Sequence, residues 1–383
     1  MPRNTEIRVV MLYDNPEWIL GYISRSLREH VNDPGRLRFD IEQAPRERRE
    51  LHRLHGKYDV IHYLSPGDFY RLGRATCRAT VVTVHHVATR VRVRLSSMAA
   101  ETDVLCAINR ECREMMAELP AFDTIPTFFT PFGVDPGFFT PREEGRTVLR
   151  ERFGLPEDTI LLGLSAKKSN DEDQRKGFDR YDALLVRLRE QYGTRVRLVV
   201  FGPGPEDRFG WSLEDFPEKV RDIVVLPGFL PAEDIPVMYS GLDFYLCLSR
   251  LEGGPYPVME CMSCGVKTIS TRVGIVEELI EEGKTGFLVD GKNYLERVPQ
   301  IIDEWTNAPP EKARALSEAA RQRIHEKRSW KAVVARSDYP EIYRTAIARW
   351  SSRPFAQKWN KRIRFHSAIW RDRLRGKSME TAD

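Results

Sequence analysis

Residues 245–265 read YLCLSRLEGGPYPVMECMSCG. An apolar run ends at Ser249, a short loop carries Glu252, Gly253, Gly254 and Pro255, and a helix begins near Tyr256 or Pro257, since proline is tolerated in a first helical turn. A short strand that is apolar on both faces and leads through a short loop into a helix belongs to a parallel sheet covered on both sides.

The same alternation extends in both directions. Downstream of a Gly/Pro-rich connection (Pro131, Gly133, Pro136, Gly137, Pro141), strands are expected at 160–164, 196–202, 223–226, 244–248, 267–270 and 286–289. Helices are expected at 178–192, 231–239, 257–264 and 276–282. Upstream, strands are expected at 7–13, 60–63, 81–84, 104–108 and 128–134, with a helix at 18–30. From Ser329 onward the pattern is helical only. Two such runs divided by a hinge predict an α/β fold of two doubly wound parallel-sheet domains facing a central cleft, with ligands outside the strand carboxyl ends. The expected division is 1–142, 143–330 and a helical return segment with a basic tail, 331–383. A length of 383 residues suits two such cores.

Composition narrows the class. The chain is 41% hydrophobic and 30% charged, ordinary for a globular protein. No apolar stretch is long enough for a transmembrane helix, and the N-terminus enters a strand pattern without a signal-peptide core, so a cytoplasmic protein is expected. The six cysteines follow no framework spacing, and Cys261-x-x-Cys264 reads as two helix cysteines because no second pair completes a zinc site. Residues 1–100 carry a net +6, residues 101–350 a net −8 and residues 351–383 a net +6. Basic ends point to an anionic partner or to solvated arginine-rich faces.

The chemistry concentrates where the reading began. Gly253 and Gly254 let backbone approach a ligand, and a helix N-terminus favours phosphate. Glu252 in the loop and Glu260 one turn into the helix can line one pocket, where carboxylates accept hydrogen bonds from sugar and ribose hydroxyls. In these features the chain resembles the retaining glycosyltransferases of family 4, of the two-Rossmann-domain GT-B fold, whose signature is two glutamates separated by seven residues. Other pieces follow in the family's order. VVFGPGP (199–205) resembles its glycine turn before the donor pocket, with Gly202 and Gly204. VVLPGFL (224–230) resembles the stretch framing the nucleotide base, with Gly228. Residues 271–289 contain the matching Glu278, and VVTVHH (81–86) resembles the strand whose following histidine, here His85, faces the cleft.

The resemblance implies a metal-independent, retaining transfer of sugar from a nucleotide-diphosphate donor, with no cofactor and no bound metal. Catalytic roles fall to Glu252 on the sugar, Lys176 of Arg175-Lys176-Gly177 on the departing diphosphate, and His85 near the transferred sugar. Donor binding falls to Glu260 on the ribose and to Gly253, Gly254, Gly202, Gly204, Gly228 and Glu278. Lys167 or Lys168 stands where the family places an arginine. Asp171-Glu172-Asp173 reads as solvated loop charge, and His85 and His86 point to opposite faces of an extended segment rather than to one metal.

On the acceptor side, Trp18 in the first loop and the arginines Arg92 and Arg94 are candidates for a glycan, lipid-linked or other anionic acceptor. The family's C-terminal helix commonly returns to the N-terminal domain, and residues 329–343 look like that return. The basic, aromatic tail reads either as packing or as a peripheral contact with the inner face of a membrane. No nucleic-acid motif is present. The first loop lacks the family's glycine pair, and Gly254-Pro255 replaces its aromatic-glycine. These departures keep a non-catalytic nucleotide-sugar-binding or scaffold protein as the alternative, beside a phosphorylase or epimerase on a similar fold.

Overall fold

The computed structural model describes residues 6–86, 93, 96–168, 175–364 and 366–367. The chain divides into two compact units, Met1–Gly133 with Trp330–Asp383, and Val134–Ser329.

The first unit is built on six strands, β1 (Ile7–Tyr13), β2 (Leu37–Gln43), β3 (Val60–Tyr63), β4 (Ala79–Val84), β5 (Val104–Ala107) and β6 (Thr127–Phe129). All pair in parallel, in the order β2-β1-β3-β4-β5-β6. β4, ATVVTV, is buried at every position, as a central strand between helix layers must be. The order reverses between β1 and β3. β2 was not anticipated: LRFDIEQ is a half-exposed edge strand whose burial pattern is too broken to stand out in a sequence. β6 stops at Phe129 rather than running to Val134, because Pro131 cannot donate to the ladder.

The helices after Ser329 belong to this first unit. Helix Tyr339–Ser352 lies on the sheet, and His62 of β3 sits between Tyr343 Oη (3.0 Å) and Thr83 Oγ1 of β4 (2.8 Å). Burial pushes the His62 imidazole down to about 3, so it stays neutral and ties helix to sheet through uncharged hydrogen bonds.

The second unit carries β7 (Ile160–Ser165), β8 (Val196–Phe201), β9 (Val224–Val225), β10 (Phe244–Cys247), β11 (Lys267–Thr271) and β12 (Phe287–Val289). Their order is β12-β11-β10-β7-β8-β9, again parallel. Leu162, Leu198, Phe244 and Ile269 from the strands pack with Leu184 and Leu188 of helix Phe178–Tyr192, and with Ile301 and Ile302 of helix Tyr294–Thr306. Each such side chain stabilises the fold by roughly 1.5–3 kcal/mol. Residues 134–142 pair with this unit: Val134 N–H donates to Arg328 O (2.7 Å), and Ser263 Oγ donates to Phe139 O (2.6 Å).

Candidate functional site

In the second sheet the strand order reverses between β7 and β10, which marks the place where open parallel sheets bind ligands. The chain leaving β10 is fixed there by backbone-directed contacts. Leu248 N–H donates to Tyr181 Oη (2.9 Å), which donates in turn to Leu246 O (3.0 Å). Thr271 Oγ1 donates to Ser249 O at 2.6 Å. Gly274, at φ +54°, lies so close that a Cβ there would sit 2.3 Å from Gly253 O. Only glycine fits, and the loop Glu252–Gly254 lies flat against the turn after β11.

A second segment is docked onto the same strand end. Arg250 N–H donates to Arg175 O (2.8 Å), and Arg180 Nη1 donates to Leu248 O (3.0 Å). Gly177 adopts φ +70°, and a Cβ on it would lie 2.5 Å from Leu248 O. The Arg175-Lys176-Gly177 turn therefore delivers two cations to one carboxylate. Lys176 Nζ stands 2.7 Å from Glu252 Oε1, Arg175 Nη1 stands 2.8 Å from Oε2, and Ser249 Oγ donates to Oε1 at 2.9 Å. Burial alone would raise the Glu252 carboxyl; Lys176 and Arg175, with hydrogen bonds from Lys176 and Ser249, hold it below the usual carboxylate range. The cluster carries two positive charges against one negative, suiting it to an anion.

Glu260 occupies a different environment. Its helix, Tyr256–Ser263, buries every residue except Pro257. Burial pushes the Glu260 carboxyl up to about 8, with a hydrogen bond from Tyr239 opposing. It is therefore protonated near neutral pH, able to donate as well as accept. The helix N-terminus offers fewer donors than its position suggests: Pro255 and Pro257 have no N–H, and Val258 N–H is directed to Pro255 O at 3.0 Å. Positive charge here comes mainly from Arg175 and Lys176.

The remaining sequence candidates are placed as follows. Glu278, on helix Val276–Leu279, is ion-paired with the buried Arg328. Gly202 lies where a Cβ would be 2.5 Å from Ala166 O and 3.0 Å from Trp211, and Gly204 faces the Glu206 carboxylate. Gly228 turns at φ +71° in open space, beside Phe229, which is 76% exposed. Lys167 Nζ lies 5.6 Å from the Phe209 ring centre, while Lys168 Nζ is 3.7 Å from Asp215 and lies over Trp211.

In the first unit, Trp18 caps helix Ile19–Val31 and is 39% exposed. His85 follows β4; its Nε2 is 2.5 Å from Leu64 O, so Nε2 carries the proton, and the ring lies 5.2 Å from Phe132. Burial lowers it to about 4, against the opposing backbone hydrogen bond. Arg92, Arg94 and Asp171–Asp173 lie outside the described residues. The structure thus brings Glu252, Lys176, Gly253 and Gly254 together, gives Glu260 and Glu278 partners of their own, and carries Trp18 and His85 on the other unit. Arg175, Gly177 and Gly274 were not anticipated as site residues; the one available signal was an arginine directly preceding Lys176-Gly177. Among the described residues, no three His, Cys, Asp or Glu side chains converge as a metal site needs.

The family model for glycosyl transferases, group 1, matches residues 169–323, within the second unit. The GDP-mannose-dependent alpha-(1-6)-phosphatidylinositol monomannoside mannosyltransferase of Mycolicibacterium smegmatis is 26% identical over 311 residues, covering 75% of this chain and 77% of that protein. The D-inositol 3-phosphate glycosyltransferase of Xylanimonas cellulosilytica is 30% identical over 276 residues, covering 65% and 64%. The chain thus spans just under two thirds of that relative. Among solved structures, the sucrose-phosphate synthase of Thermosynechococcus elongatus superposes with a TM-score of 0.67 at 18% identity, over 89% of this chain and 99% of that one. Anabaena Alr3699/HepE, in complex with UDP-glucose, gives 0.69 at 14% identity, over 86% and 98%. These likenesses establish the expected α/β fold, the GT-B fold with two doubly wound parallel sheets. The group 1 match and the relatives' names support a glycosyltransferase.

Proposed function

We propose that this chain is a metal-independent, retaining glycosyltransferase that moves a sugar from a nucleotide-diphosphate donor to a glycan, lipid-linked or small-molecule acceptor. The observation that carries the reading is the Glu252–Arg175–Lys176 cluster at the carboxyl end of β10. Departure of a nucleotide diphosphate concentrates charge on its terminal phosphate, and two preorganised cations at that point lower the barrier. When the diphosphate draws on Lys176 and Arg175, the Glu252 carboxylate is released to accept from sugar hydroxyls. Glu260 on the ribose, with the exposed Phe229 beside Gly228 against the base, completes the donor side. His85, neutral with its proton on Nε2, orients the sugar. No protein nucleophile is assigned; attack on the face the phosphate leaves, assisted by that phosphate, accounts for retention. On the acceptor side, Trp18 with Arg92 and Arg94 suits an anionic group, and the relatives' names favour a phosphorylated inositol or its lipid-linked form.

The test is incubation with GDP-mannose, UDP-glucose and other nucleotide sugars in EDTA, with inositol phosphate or phosphatidylinositol as acceptor. Release of nucleotide diphosphate and the anomeric configuration of the product, by NMR, are the readouts. Turnover with retained configuration is expected, with kcat falling about 10²–10³-fold in Lys176→Met. Tight binding without turnover would favour a non-catalytic nucleotide-sugar binder, and an inverted product would refute the retaining mechanism.

A further inference from the structure

The helix over 355–364 in the first unit carries an unusual outer face. Phe355, Trp359 and Ile363 are 76%, 50% and 50% exposed. A spacing of four residues places them along one stripe, and the Phe355 and Trp359 rings stack at 5.9 Å. The opposite side is anchored. Lys361, 4% exposed, pairs with Glu101 Oε2 at 3.1 Å, and Arg353 just before the helix pairs with the fully buried Asp103 at 2.7 Å. Lys361 Nζ also lies 5.3 Å from the Trp350 ring centre. Ion pairs on the inner side hold the aromatic stripe outward, where its apolar surface is left in water at a cost.

The charge around this stripe has one sign. Arg362 adjoins it, exposed, and lies near enough to Arg78 to lower that guanidinium further below its ordinary value, beyond the larger effect of burial. Arg364 lines a cavity of about 520 Å³ with Arg48 and Arg74, while Glu101, the acid in its wall, is already paired with Lys361 and Arg364. The sequence adds Arg371, Arg373, Arg375 and Lys377 within the next fifteen positions, against the single acid Asp372. Apolar stripe and cations together fit a surface that offers hydrocarbon beneath anionic phosphate. A second copy of the same face would set arginine against arginine.

We propose that this helix docks the protein on an anionic lipid bilayer, with Phe355, Trp359 and Ile363 entering the headgroup boundary and the Arg48–Arg74–Arg364 cavity receiving a lipid phosphate. The reading is independent of the transferase site and stands or falls separately from it.

Co-sedimentation of the full chain with vesicles of phosphatidylcholine, with and without phosphatidylglycerol, tests it. The chain should bind the anionic vesicles and be released by salt, and the double variant Phe355→Ser/Trp359→Ser should lose about tenfold or more in partitioning. Trp359→Phe should retain binding but lose the fluorescence quenching that brominated acyl chains impose on the wild type. Both variants alter exposed positions, and an unchanged thermal midpoint confirms folding. Absence of binding to anionic vesicles, or full binding by the double variant, overturns the proposal. So does binding abolished by inorganic phosphate yet indifferent to the aromatic changes, which would make the cavity a soluble-anion site. A dimer that the double variant dissolves would assign the stripe to self-association instead.

Discussion

Glu260 has two demands on one carboxyl: burial favours its neutral form against the opposing hydrogen bond with Tyr239, and the proposed role on a donor ribose needs a hydrogen-bond acceptor. A protonated carboxyl satisfies both, since its carbonyl oxygen still accepts. The proton has a consequence for stability. A carboxyl at about 8 in the folded chain, against an ordinary 4.5, binds an extra proton when folded, so its contribution declines as pH rises through that window. Glu260→Gln, neutral throughout, should flatten the decline. Its thermal midpoint should gain on the wild type between about pH 4.5 and 8, by roughly 2–4 °C per kcal/mol recovered. Parallel curves for the two proteins would show that Glu260 is ionised in the fold. Glu252 behaves oppositely: two cations keep it ionised, and it contributes nothing to that slope.

At the scale of elements, the site depends on how the turn before helix Phe178–Tyr192 meets the end of β10. Gly177 is the point of contact. Its φ of +70° costs other residues about 1–2 kcal/mol, and a Cβ would collide with Leu248 O. Gly177→Ala should therefore shift the turn and move Lys176 away from Glu252. The expected result is a thermal midpoint lower by a few degrees and a nucleotide-diphosphate Kd weakened by about tenfold or more, beyond what the stability loss explains. An alanine variant with wild-type Kd would show that Lys176 is not placed by this turn. These contacts also mark what the sequence could and could not disclose. β7, β8 and β10 are largely apolar runs, and β11 (KTIST) is rich in β-branched residues, so all four are legible as strands from their residues alone. β2, an amphipathic edge, was not. The loop carrying Glu252 was legible from its glycines and its place between strand and helix. The partnership of Arg175 with Glu252 was not, because it joins segments 77 residues apart through a positive-φ turn that only the folded chain displays. Nor could Glu278 be seen to pair with Arg328, which arrives from the end of a helix fifty positions later.

For the whole molecule, the charge ledger acquires a location. Residues 101–350 are acidic in sum, yet the end of β10 is locally positive because Arg175 and Lys176 are folded onto a single buried glutamate. The basic C-terminal segment folds onto the first unit and spends Arg353 on Asp103 and Lys361 and Arg364 on Glu101, leaving Arg362 and the aromatic stripe outward. A ligand that binds only the folded second unit must stabilise it, by about 2.7 kcal/mol at a hundred times its Kd. The most direct test of the central claim is therefore calorimetric titration of the full chain, in EDTA, with UDP and GDP, comparing wild type with Lys176→Met and Arg175→Met. The account predicts binding of at least one nucleoside diphosphate by the wild type, weakened about tenfold or more in each variant. Equal affinity in all three proteins, or no binding by the wild type, would contradict it.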